Sequence, residues 1–144
     1  MNTFLIFFWV WMAMVANSFW EAYVEGKDAW NKGKVGWELR VGKYSLTAYQ
    51  FFLWWVMWPL LLLLPLVAYG WDTRLFGILL SAYASGIVLE DFLWFVVNPV
   101  VPFKNWNPHW AYYYPWLVAG RFRVPLLYIV GILVAILSWA LFWH

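Results

Sequence analysis

The sequence predicts an all-α membrane protein, a four-transmembrane-helix bundle that forms one domain over residues 1–144. Three observations predict it. First, 66% of the 144 residues are hydrophobic and only 11% are charged. A soluble domain carries about a quarter charged residues, and a soluble fold this small cannot cover so much apolar surface. Second, four apolar runs are each long enough for a helix to cross the hydrocarbon, which takes about 17–25 residues. The runs are continuous rather than alternating, which selects helices over a barrel. Third, the basic residues are distributed unevenly between the connections.

The first run spans about 3–20. It lacks the positive leader of a signal peptide, so it is expected as a retained span. The second spans about 47–69 and contains Pro59 and Pro65. Each removes a backbone donor and crowds the preceding turn, which predicts a bent helix. The third spans about 75–97 and the fourth about 124–143. Small residues at four-residue spacing let helices approach closely: Gly77, Ser81 and Ser85, Ala82 and Gly86, and Gly131 and Ala135. The tight GWDTR turn at Gly70–Arg74 makes the second and third spans antiparallel neighbours. The sequence shows no internal repeat.

Two long connections, 21–46 and 98–123, share one side of a four-span protein. They hold Lys27, Lys32, Lys34, Arg40, Lys43, Lys104, Arg121 and Arg123, eight of the nine basic residues. The other side has only Arg74. The positive-inside rule therefore places both connections in the cytoplasm and both termini on the non-cytoplasmic side. The expected location is the plasma or inner membrane of a prokaryote. Fifteen Trp and nine Tyr suit the bilayer interfaces. A net charge of +2 gives no reason to expect a nucleic-acid partner, and the absence of Cys removes disulfides and thiolate chemistry.

Glu90 and Asp91 are adjacent inside the third run. An acid in the middle of a bilayer costs about 2.5–3.5 kcal/mol on insertion scales, and ionisable residues at such depth mark functional sites by default. Successive helical residues point about 100° apart, so the two acids face different surroundings. Glu21, Glu25 and Asp28 follow the first run at helical spacing and reach the same end of the bundle. The ligand-binding candidates are therefore Glu90, Asp91, Glu21, Glu25 and His109. The alternative is structural: Arg121, Arg123, Lys104 or Arg40 neutralises one of Glu90 and Asp91, and Glu21 and Glu25 belong to a solvated helix end paired with Lys27 and Lys32.

One imidazole among carboxylates can offer a site for a divalent metal ion, with candidates Glu21, Glu25, Glu90, Asp91 and His109. No histidine-box spacing occurs, which excludes a di-iron oxidase of that type. The segment from Trp106 to Trp116 is too polar and too broken by Pro to span. It is expected to lie in the headgroup layer, with Arg121, Arg123 and Trp110 as candidates for binding a lipid head group, or to act as a lid over the acidic site.

The motif E-D-x-x-W-F-x-x-N-P at Glu90 to Pro99 resembles a group of small prokaryotic integral membrane proteins, in which it ends a span ahead of an aromatic, histidine-containing loop. The resemblance covers roughly the second half of the chain and implies no known activity.

Three functions are compatible with the sequence. The first is a small membrane protein whose acidic site, at the cytoplasmic end of the bundle, binds a cation, a proton or a polar lipid head group. The second is an accessory subunit of a larger membrane complex or a homo-oligomer. The third is an enzyme that uses a carboxylate general base on a lipid-borne substrate.

Overall fold

The computed structural model describes residues 2–31, 35–42 and 44–144. Four helices carry the chain: α1 (Thr3–Glu25), α2 (Ala48–Tyr69), α3 (Thr73–Val97) and α4 (Leu126–Trp143), each long and apolar enough to cross a membrane. They match the four expected runs, except that α1 continues to Glu25 and so carries Glu21 and Glu25 within the helix. Asn2 accepts from the Leu5 amide at the start of α1, and Asp72 accepts from the Leu75 amide at the start of α3. Each side chain satisfies a donor that the first helical turn leaves open.

The long connections are not plain loops, and the expectation of an all-α chain is corrected there. Strands β1 (Glu38–Val41) and β2 (Tyr44–Thr47) form one antiparallel hairpin, and β3 (Trp116–Ala119) and β4 (Phe122–Pro125) form another. Their turns open on Gly42 and Gly120, with φ of 61° and 60°. Glycine takes this conformation without a Cβ clash, which is why short hairpin turns favour it. Each hairpin runs directly into a helix, Thr47 into Ala48 and Pro125 into Leu126. The element order is therefore helix, connection, hairpin, helix, stated twice. Set side by side by that order, GKYSLT at 42–47 and GRFRVP at 120–125 share glycine, a basic residue and an aromatic ring.

Helix α3 is the centre of the bundle. In its apolar window 44% of residues are buried, against 22% in α1, 17% in α2 and 11% in α4. Helices α1 and α3 run parallel. The Trp11 indole donates to Ser85 Oγ (3.0 Å), and Met14 packs on Gly86, where an added Cβ would come within 2.9 Å of its side chain. Helix α4 runs antiparallel to α3. Ser138 Oγ donates to the Gly77 carbonyl and Ser81 Oγ to the Ala135 carbonyl. The small residues read from the sequence thus form the helix-packing seams, where hydroxyls bond carbonyls of the neighbouring helix.

Helix α2 is interrupted as its prolines require, but through a change of winding. Residues Phe51–Met57 are π-helical, and the Trp58 amide bonds the Leu53 carbonyl. The next donor in that ladder would be Pro59, which has none. The Trp54 carbonyl is left open, and the Tyr83 hydroxyl of α3 fills it. The rest of α2 meets α1 and α3 through bulky side chains, with Leu53 and Trp58 packed among Val10, Met14 and Ala82.

Gly131 gives the most exacting test of the α3–α4 seam. A Cβ there would lie 2.7 Å from Val88 Cγ2 and 2.9 Å from the Ala84 carbonyl oxygen. Gly131→Val is expected to cost about 1–3 kcal/mol, the usual penalty for overpacking, and to lower the melting temperature of the detergent-purified protein. An unchanged melting temperature would contradict the packing described.

Candidate functional site

The buried residues of α1 are Val10, Met14, Asn17, Ser18, Glu21, Ala22 and Glu25. They recur every three or four positions, so one stripe faces α3. Glu21 and Glu25 lie on that stripe, each only 4% exposed. They are not the solvated helix end of the alternative reading. The expected third member, Asp28, falls beyond the helix. The chain turns at Gly26, and the Asp28 amide bonds the Glu25 carbonyl.

On α3 the buried row continues through Ala82 and Gly86 to Glu90 and Trp94. Glu90 is 4% exposed and faces α1. Asn17 joins the two helices. Its Nδ2 donates to Glu21 Oε2 at 3.1 Å and to Glu90 Oε1 at 3.4 Å. The Glu21 and Glu90 carboxyl groups themselves lie within hydrogen-bonding reach of one another. Asp91 points elsewhere, as the 100° step predicts. It accepts from Tyr128 Oη of α4 at 2.7 Å and from Tyr114 Oη of the aromatic loop at 3.4 Å. Tyr128 in turn accepts from the Trp106 indole.

No basic residue meets these acids among the described residues. The one ion pair there is Arg40 with Glu38, on the first hairpin. Arg121 and Arg123 are exposed on the second hairpin, and Lys104 is exposed beside it. The expected pairing of Glu90 or Asp91 with a loop cation is therefore corrected. Lys32, Lys34 and Lys43 lie outside the described residues.

Three further expectations are corrected. His109 is exposed and does not line the cavity beside the acids; its backbone amide bonds Asn107 Oδ1 in a local turn. Among the described residues, no three His, Asp or Glu side chains are placed to ligate one metal ion. The divalent-ion set of Glu21, Glu25, Glu90, Asp91 and His109 is thus not assembled, since Asp91 turns to Tyr128 and His109 stays outside. Trp110, expected at a lipid head group, packs inward on Trp94, Phe95 and Tyr113.

The aromatic loop folds back over the ends of α1 and α3. Ala111, Tyr113 and Tyr114 bury themselves against Ala22, Trp94 and Phe95. Burial pushes the Tyr113 and Tyr114 hydroxyls well above the usual phenol range, so both remain protonated. Asn98 fixes this end. Its Nδ2 donates to the Gly26 carbonyl at 2.9 Å, and its Oδ1 accepts from the Val100 and Val101 amides.

Between these elements lies a partly open cavity of about 440 Å³. Glu21, Glu25, Glu90 and Asp91 lie on its wall, with Trp30, Trp54, Trp94 and Tyr113 around them. Trp30 sits at φ 64°, the one non-glycine residue with positive φ among the described residues. A bulky residue there is strained, and the Thr47 hydroxyl holds its carbonyl at 2.9 Å. Two buried polar atoms on the wall, Glu25 Oε1 and Trp94 Nε1, make no hydrogen bond of ordinary geometry among the described residues, though the two groups are neighbours.

No protein-family model, curated protein or solved structure matches the chain.

Asn17, Tyr114, Tyr128 and Gln50, which also lines the cavity, are site residues that the sequence reading passed over, and Trp94 entered it only as part of the E-D-x-x-W-F motif. Asn17 alone had a readable signal, since it lies one helical turn before Glu21.

Asn98→Ala would remove three hydrogen bonds and release the ends of α1 and α3 from each other. At about 0.5–1.5 kcal/mol per bond, a loss of about 2 kcal/mol or more is expected, read as a lower melting temperature. A variant as stable as the parent would show that Asn98 does not tie the two helices.

Proposed function

We propose that the chain is a small integral membrane protein that binds a ligand in the acidic cavity, at the cytoplasmic end of a four-span bundle. One observation carries the reading: Glu21, Glu25 and Glu90 are buried on the wall of a 440 Å³ cavity with no cation paired to them among the described residues. Burying charge without compensation is costly. A ligand, or protons held between the acids, must supply what the side chains omit. A cavity of this size falls in the range that holds a small organic molecule, about 300–1,000 Å³.

Membrane insertion is supported by the four long apolar helices and by the large hydrophobic side chains they turn outward, among them Trp9, Leu60, Val67 and Leu141. The basic loops support placing the hairpin end, and with it the cavity, in the cytoplasm.

The cysteine-free chain makes orientation directly readable. Tyr69→Cys, at the end of α2, is expected to react with a membrane-impermeant maleimide on intact cells. Phe122→Cys, on the second hairpin, should react only after permeabilisation. The reverse pattern would invert the topology.

Ligand binding is tested by native mass spectrometry of the protein released from lipid nanodiscs. The parent is expected to carry one added small-molecule mass. Ile87→Trp, which fills the cavity beside the acids, should lose that mass while melting at a similar temperature. An unliganded parent, or a mass retained by the folded variant, would refute the reading.

A further inference from the structure

We infer that the cavity takes an amphiphilic organic cation, a protonated amine or quaternary ammonium on an apolar tail, with its head group among Glu21, Glu25 and Glu90. The inference rests on the ligand-binding reading above and names the class of ligand. Four independent features of the cavity converge on it.

The first is charge. The deep wall carries carboxyl groups on α1 and α3, and among the described residues no Lys or Arg lines the cavity. An anionic head group would meet carboxyl groups there and no described cation. The second is the type of wall around the acids. Trp30, Trp54, Trp94 and Tyr113 present π surface, and ring faces attract ammonium groups most strongly where water is excluded. A hard metal ion would instead need several oxygens aimed at one point, and among the described residues no such group of three exists.

The third is an open carboxylate oxygen. Glu25 is 4% exposed, yet its Oε1 makes no hydrogen bond of ordinary geometry among the described residues, with the Trp94 indole as its neighbour on the wall. Buried polar groups are nearly always compensated, so an open carboxylate oxygen on a cavity wall points to a positive charge that the ligand brings. A bare proton could neutralise an acid, but it would leave the apolar volume empty.

The fourth is the route. The cavity runs outward from the acids to Trp55 and Pro59 of α2 and to Leu127 of α4. Trp55 is 70% exposed on the outer surface. An opening between these two helices, whose outer faces are apolar, would leave a ligand's tail toward the acyl chains while its head reaches inward. A fully hydrophilic cation has no use for that passage.

The test uses the whole protein in a neutral maltoside detergent and two probes of equal chain length, dodecyltrimethylammonium and dodecanol. Quenching of intrinsic tryptophan fluorescence reads binding, since Trp30, Trp54, Trp55 and Trp94 line the cavity. The ammonium probe should bind at least about tenfold more tightly than the alcohol, which corresponds to about 1.4 kcal/mol. Glu21→Gln with Glu90→Gln should abolish that preference while dodecanol binding persists. Glu25→Gln, which keeps the Asn17 bridge intact, serves if the double variant does not fold, and it should reduce the preference. Ile87→Trp should weaken both probes. If dodecanol binds the parent as well as the ammonium does, the cation inference is overturned and the ligand cavity stands. If the folded Ile87→Trp variant binds both probes like the parent, the cavity reading itself is overturned.

Discussion

The structure depends on a contact between two parallel helices that meet through acids. Asn17 lies between Glu21 of α1 and Glu90 of α3, donating to both. Two carboxyl groups in a buried contact normally push helices apart, and a neutral amide offers them only partial relief. Everything nearby is arranged around that contact. Asn98 ties the ends of the same two helices beyond the acids, and the aromatic loop covers them. The aromatic connection, for which the sequence offered a lid over the acids beside a headgroup-layer segment, therefore acts as the closed end of a chamber.

The packing of the remaining helices explains why the chamber exists at all. Helix α4 lies directly on α3 through glycine and serine, with backbones close enough for hydroxyl-to-carbonyl bonds. Helix α2 carries Trp54 and Trp58 where α4 carries small residues, and these rings hold it away from the centre. Close packing on one side of α3 and bulky packing on the other leaves space, and the space falls beside Glu90 because α3 reaches its buried acid at that level.

Much of the fold could be read from the chain. The four helices, their small-residue seams and the divergence of Glu90 from Asp91 follow from apolar run length, four-residue spacing and the helical step. The hairpins did not show, because their strands are four residues each: ELRV, YSLT and FRVP alternate, but over a stretch too short to stand out beside the apolar spans. The gathering of Glu21, Glu25, Glu90 and Asp91 at one cavity was expected from their shared end of the bundle. Their partners were not: Asn17, Tyr114 and Tyr128 come from three separate elements, and no local pattern announces a tertiary hydrogen bond. His109 and Trp110 misled for a related reason. Residue type proposed a metal ligand and a lipid anchor, whereas the fold of the loop decided that one faces out and the other packs inward.

Proline at position 59 has an effect beyond its own helix. By withholding an amide it exposes the Trp54 carbonyl, and Tyr83 of the central helix docks there. The vertical setting of α2 against α3 is thus keyed by a missing atom. An alanine at 59 would return a competing donor to that oxygen, unlatching the phenol and leaving α2 free to slide along its neighbour. A deletion in the backbone ladder serves here as a coordinate that fixes how wide the chamber stands.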